Sequence, residues 1–204
     1  MRVPSVSSNR VRVEPQQERS TRRLASFLDA AADLFVESGF EATTMTAIAE
    51  RVGASIGTLY HYFPDKAAIA SALVNQYANE IEEHWKPLIA NTSTLTHQDF
   101  ASQFIECITE FVHRRPAYLA LLSAPTRFRR DPSTRRALRI AIANAFRARN
   151  PALSEEKSLL VANVALQIVK GMTNLYTQVT PKEKPQVTAE FKNVLTLYLG
   201  SVLP

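Results

Sequence analysis

A chain of 204 residues with 46% hydrophobic residues can bury a core of its own, and five glycines and eleven prolines are too few for a low-complexity polymer. No apolar run reaches the length of a membrane span, and the first residues lack the apolar stretch of a secretion signal, so a soluble cytoplasmic protein is expected. The single cysteine, Cys107, excludes an intrachain disulfide or a cysteine zinc cluster, and the net charge of +5 invites a nucleic-acid partner without establishing one.

Residues 1–18 are polar, proline-punctuated and without period, which predicts a flexible arm. Within residues 1–23, six arginines (2, 10, 12, 19, 22 and 23) face only Glu14 and Glu18, a local charge of +4. Such an arm is either a solvated tail or a strand of positive charge laid along DNA, with Arg10 and Arg12 reaching phosphates or the minor groove. From Arg19 to Ser38 the pattern turns helical: Leu24, Phe27, Leu28, Ala31, Leu34 and Phe35 recur at three- and four-residue steps. Gly39 is predicted to end that helix, and Phe40 to plug a small core with Ile48, Leu59 and Phe63.

Residues 43–66 read as two short helices and the opening of a third. Thr44 is placed to cap the first, Ile48, Ala49 and Val52 form its buried stripe, and Gly53 ends it in a left-handed turn. Only Ala54 separates Gly53 from Ser55, the cap of a second helix running to about Tyr62. So short a corner forces the two helices to cross steeply, the arrangement of a helix-turn-helix whose second helix enters a major groove. Leu59 and Phe63 would face inward; Ser55, Ile56, Gly57, Thr58, Tyr60, His61 and Tyr62 are left as a small, hydroxylated and aromatic surface. That surface is either a plain solvated face or a recognition face. Its charge does not decide, because residues 24–66 carry Arg51 and Lys66 against Asp29, Asp33, Glu37, Glu41, Glu50 and Asp65, a local −4.

Here the residues carry a family resemblance. The run Thr44-Met45, Ile48-Ala49, Gly53, Ser55, Gly57-Thr58-Leu59-Tyr60, Tyr62-Phe63-Pro64 and Lys66 resembles the signature of the TetR/AcrR transcriptional regulators. Upstream, Ala30-Ala31-Ala32-Asp33-Leu34-Phe35 and Gly39-Phe40 resemble the family's first helix. The resemblance implies an all-α chain in which the flexible basic arm (1–18) is followed by an N-terminal three-helix helix-turn-helix domain (19–66) and a C-terminal helical ligand-binding and dimerisation domain (67–204). It also implies a homodimer that holds a palindromic operator and releases it when a small effector binds. Thr44 and Thr46 would then anchor phosphates. Ser55 to Tyr62 would lie in the groove, with Thr58 and Tyr60 on phosphate or a base edge and Gly57 allowing close backbone approach. His61 and Tyr62 are further candidates, and Lys66 matches a position that often contacts phosphate. Ile56 departs from the lysine or glutamine often found there; it cannot hydrogen-bond a base but can pack on a thymine methyl.

Beyond this signature, Asp65 is a good cap for a helix to about Trp85, with Pro87 expected to stop it soon after. By the resemblance this helix links the two domains, so its tilt can carry an effector signal. After a polar loop (91–98) a helix is expected from about Asp99 to Pro116, then a short one to Ala124. Residues 126–149 hold eight arginines (127, 129, 130, 135, 136, 139, 147 and 149) against Asp131, a local +7. They suit the exposed face of a helix from Pro132 to Arg149, an anionic-effector site, or a second DNA-facing patch. Ser154 should cap a long helix to about Thr177, and a last helix should run from Val187 to about Val202. Both are apolar well beyond one stripe, which suits burial against a twin, and the resemblance implies a four-helix dimer interface.

Catalytic signatures are wanting: the chain has no glycine-rich phosphate loop, Gly-x-Ser-x-Gly or His-Glu-x-x-His, and its four histidines are scattered. No enzyme, cofactor or metal is therefore expected. The aromatic residues of the C-terminal half suit either a packed core or the wall of a pocket. Phe104, Phe111, Tyr118, Phe146, Met172 and Tyr176 are the candidates for enclosing a small apolar, aromatic or anionic effector. The alternatives to a ligand-responsive repressor are a helical ligand-binding or carrier protein, or a small all-α enzyme, neither of which reads DNA.

Overall fold

The computed structural model describes residues 16–124 and 132–203, with side chains from residue 17 and, after the gap, from residue 136. Most of the expected arm, with Arg10 and Arg12, and the arginines at 127, 129, 130 and 135 therefore lie outside the described residues or side chains. The described chain is all helical: α1 Gln16–Ala42, α2 Met45–Arg51, α3 Ile56–Tyr62, α4 Lys66–Ala90, α5 His97–Arg114, α6 Ala117–Leu122, α7 Pro132–Arg149, α8 Glu155–Tyr176 and α9 Lys184–Gly200. Among the described residues no helix is long and apolar enough to cross a membrane.

Helix α1 buries the expected stripe, with Phe27, Ala31, Leu34 and Phe35 inside and Leu24 and Leu28 half-buried. Gly39 interrupts the helix without ending it. Its φ of 79° and ψ of 165° kink the backbone, and one more turn follows to Ala42. The kink turns Phe40 inward, 5.5 Å from the Phe35 ring, where it joins Ile48, Leu59 and Phe63 in a small core. Thr43 secures the corner: its hydroxyl is buried and lies on the carbonyl oxygens of Gly39 (2.8 Å) and Leu34 (3.1 Å).

Element ends differ from expectation where local chemistry outweighs periodicity. Helix α4 passes through Pro87 and ends at Ala90, because buried Trp85 and Leu88 hold the last turn and the Thr92 hydroxyl caps the Ile89 carbonyl. Helix α5 starts at His97, two residues early, since Thr96 accepts from the Asp99 amide (3.0 Å) while its hydroxyl donates to the Asp99 carboxylate (2.7 Å). Helix α9 starts at Lys184, with Pro185 in its first turn, where a missing N–H is no loss.

In the C-terminal bundle α8 packs between α7 and α9, α9 lies on α5, and α4 lies against α5 and α7. Trp85 stacks on Phe104 (4.2 Å), which continues through Phe100 to an edge contact with Phe146. Helix α6 touches both ends of the molecule, packing on α1 as well as on α4 and α8.

Candidate nucleic-acid interface

The corner between α2 and α3 is built as the sequence suggests. The Thr44 hydroxyl accepts from the Ala47 amide (3.1 Å) and starts α2. Gly53, at φ 63°, turns the chain, and the Ala54 amide reaches back to the Ala49 carbonyl (2.9 Å). Ser55 then caps α3 by accepting from the Thr58 amide (3.2 Å), with the two hydroxyls 2.8 Å apart. Arg51 braces α2 on α1 through a two-pronged pair with Glu37 (3.0 and 2.7 Å), which holds the Glu37 carboxyl below its ordinary range.

Fully buried Leu59 pins α3 to this base, and Phe63 closes it. The opposite face projects outward: Tyr60 is 51% exposed and Ile56 40%, with Ser55, Gly57 and His61 exposed beside them. Thr44 and Thr46 are exposed at the start of α2, on the other side of the corner. Large side chains thus stand open to solvent on a short helix that is anchored from beneath.

Two candidates have other partners. Tyr62 is half-buried; its ring packs 5.7 Å from Phe27 and its hydroxyl lies 3.2 Å from the Ser20 hydroxyl, so it joins α3 to the start of α1. Lys66, expected at a phosphate, has partners within the chain in this structure. Its ammonium donates to the carbonyls of Phe40 (2.6 Å), Thr43 (2.8 Å) and Glu41 (2.9 Å), and sits 4.5 Å over the Phe40 ring. A lysine has three N–H donors, and all three are occupied.

The site gains residues that the recognition signature alone does not contain. Between the start of α1 and α3 lies an open cavity of about 560 Å³, walled by Arg19, Arg22, Arg23, Ser26, Thr58 and His61. The positive charge that α2 and α3 lack is thus supplied alongside them by the first turns of α1. Those arginines stand out in the sequence as charge; only the packing of Tyr62 on Phe27 shows that they share a groove with Thr58.

The expected effector residues are not gathered on one wall. Phe104, Phe111, Phe146 and Met172 are at most 1% exposed. In this structure these four side chains are packed in the core and present almost no surface to a water-sized sphere. Tyr118 is half-buried in an edge contact with Phe111 (5.5 Å). Tyr176 does border a cavity, at the base of the α8–α9 turn. The arginine-rich segment is mixed: Arg136 and Arg147 are exposed on α7, whereas Arg149 turns inward onto the carbonyls of Thr92 and Leu95. Cys107 is half-buried, and burial together with Glu110 and Glu106 pushes its thiol up, away from the reactive thiolate. Among the described residues no group of His, Cys, Asp or Glu is placed to hold a metal.

Comparison with known proteins agrees with this geometry. Residues 27–73 match the bacterial regulatory proteins of the tetR family, and residues 98–199, half of the chain, match the tetracyclin repressor-like C-terminal domain. The HTH-type transcriptional repressor KstR of Mycobacterium tuberculosis is 35% identical over 79 residues, covering 38% of this chain and 34% of KstR. The chain thus spans about a third of the length of such curated relatives. Among solved structures, a TetR-family transcriptional regulator from Pectobacterium atrosepticum superposes with a TM-score of 0.68 at 18% identity, covering 93% of this chain and 98% of that one. The transcriptional regulator FadR of Bacillus subtilis, solved in complex with stearoyl-CoA, superposes with a TM-score of 0.64 at 15% identity, covering 87% and 98%. At such identities the likeness is one of fold.

Proposed function

This chain belongs to the tetR family of bacterial regulatory proteins, and from that premise we propose that it is a dimeric repressor that holds a palindromic operator and releases it on binding a small molecule. The observation that carries the reading is the outward face of α3, with Tyr60 and Ile56 exposed on a helix fixed by buried Leu59. In the groove Tyr60 and Thr58 meet phosphate or a base edge, Gly57 lets the backbone close in, and Ile56 packs on a thymine methyl. Thr44 and Thr46 hold the flanking phosphates. The Thr44 hydroxyl accepts within its own helix and keeps its proton free to donate outward. Arg19 and Arg23, beside the α1–α3 cavity, supply the phosphate attraction.

Two such heads read successive major grooves when about 34–36 Å apart, which requires a twin. Residues 67–204 are assigned the dimer and effector roles and residues 19–66 the DNA role, with α4 as the link between them. Effector binding can release the operator by no more than its difference in affinity for the two states. The test is selection of bound fragments from genomic DNA, including the region upstream of the protein's own coding sequence, followed by gel retardation. Specific retardation, lost in a folded Tyr60→Ala variant, is expected. Failure to enrich any sequence, or full retardation by Tyr60→Ala, would overturn the reading.

A further inference from the structure

A second cavity, of about 370 Å³, opens where the end of α5, the first turn of α6 and the α8–α9 turn meet. Its floor is apolar, made by Val112, Leu119, Pro116 and the Tyr176 ring. Lys184 and His113 stand at its polar side with the Thr188 hydroxyl, and among the described residues no acid lines it. The Lys184 ammonium lies 5.4 Å from the Tyr176 ring centre. Among the described residues no carboxylate forms an ion pair with it. Its neighbour Glu183 is held away, accepting from the amide and hydroxyl of Thr180 (both 2.7 Å), contacts that also keep its carboxyl below the usual range. The polar edge is ordered, since the Tyr176 hydroxyl meets Thr188 Oγ1, which itself donates to the Lys184 carbonyl (2.9 Å).

We propose that this cavity binds a small monocarboxylate with an apolar body, and that α6 reports its occupation to the DNA-reading end. A lysine ammonium with no counter-charge among the described residues, above an apolar floor, suits one negative charge on a hydrocarbon stem. A ligand pocket of this volume, shallow and lateral, takes a molecule of modest size. The site lies apart from the aromatic core that the sequence suggested, sharing only Tyr176 with it. Its route outward is short. Pro116 and Leu119 on the wall belong to the entry and body of α6, and α6 packs on α1. The residue before Pro116, Arg115, grips Glu80 of α4 through Nε (2.9 Å) and Nη2 (3.2 Å). A ligand pressing on α6 thus acts on both helices that carry the reading head. This second half of the proposal rests on the regulator reading; the binding site itself does not.

The full-length protein is titrated by calorimetry with 3-phenylpropionate and octanoate, and with 3-phenylpropanol and octanol as uncharged counterparts. Operator affinity is measured with and without the carboxylate. Saturable binding of a carboxylate, at least about tenfold tighter than its alcohol, is expected. Lys184→Met should remove that preference, Leu119→Phe should block binding by filling the cavity, and Lys182→Met, outside the wall, should change neither. Circular dichroism confirms that each variant is folded. The bound carboxylate should weaken operator binding by about 5–150-fold, the usual range of coupling between sites. No saturable binding below about 10 mM, or equal binding by folded Lys184→Met, overturns the site. Carboxylate binding with unchanged operator affinity overturns the link through α6. Operator retardation without carboxylate binding defeats the cavity alone, whereas carboxylate binding without retardation of any DNA defeats the regulator reading and leaves the cavity standing.

Discussion

Lys66 ties the C-terminal turn of α1, the start of α2 and the first turn of α4 into one joint, because its ammonium bonds to three carbonyls within the sequence 40–43. Hydrogen bonds to a charged group contribute about 1.5–3 kcal/mol each when measured singly, and those sharing a donor do not add. Lys66→Met should therefore destabilise the protein by about 2–4 kcal/mol in chemical denaturation. Lys66→Arg should not restore it, since a planar guanidinium cannot converge three donors on one point. The salt dependence of operator binding separates this role from phosphate contact. In conditions where Lys66→Met is folded, its slope of log K against log salt should match the wild type, while the Arg19→Gln, Arg23→Gln double variant, which removes four arginines from a dimer, should lose about 3.6 from that slope. A shallower slope for Lys66→Met would return the lysine to the DNA. Tyr77 gives a second test at this scale. Burial pushes its phenol up to about 12, with the Glu80 charge adding to the rise and Arg115 opposing it. A raised folded-state pKa contributes stability that is complete below the ordinary tyrosine value of about 10 and lost as pH rises toward 12. Tyr77→Phe should flatten that alkaline loss, read as the slope of unfolding free energy against pH between those limits.

At the scale of the element, the bend in α1 decides whether Phe40 reaches the core. Gly39 holds φ 79° and ψ 165°, a region open essentially to glycine alone, and a Cβ there would meet no atom within 4 Å. Gly39→Ala should thus cost about 1–3 kcal/mol through backbone strain and not through a clash. Thermal unfolding of the alanine variant measures it, and an unchanged Tm would show that the bend is not held. The sequence announces this glycine and the Gly53 turn because both end apolar stripes, and it announces Thr44, Ser55, Asp65 and Ser154 because each stands just before a helix. It misplaces the end of α4, where Pro87 reads as a stop, and the start of α9, expected at Val187. At Pro87 tertiary burial of Trp85 and Leu88 outweighs one lost hydrogen bond, and at Pro185 the helix is only beginning. Lys66 is legible as a motif position, but its bonds to the carbonyls around the α1 kink, like those of the Thr43 hydroxyl, follow from no local pattern.

For the whole molecule, the aromatic residues of the C-terminal half show why a site is harder to read than a fold. A phenylalanine facing a void and one facing another ring have the same sequence signature; stacking places Phe104 against Trp85 and Phe100, while Tyr176 borders a cavity. The surplus of apolar residues on the last two helices is different, because part of it stays outside. Leu160 of α8 is 53% exposed, and Val194 and Leu197 of α9 are 48% and 66% exposed, while Leu195 and Leu199 fill the interior. Adjacent helices that each offer leucine to water suit an isologous contact, in which one patch meets its own copy across a two-fold axis. Neither side chain supports its own bundle through burial, so a charge there acts on assembly more than on folding. Leu160→Glu combined with Leu197→Glu should leave the helical content and Tm of the isolated chain close to normal while shifting sedimentation to the monomer. Operator binding should then fall by about 10²–10⁴-fold, because two half-sites taken one at a time lose the effective concentration that linkage provides. A double variant that stays dimeric would move the interface off α8 and α9, and one that is monomeric yet binds the operator at full strength would remove the need for a twin.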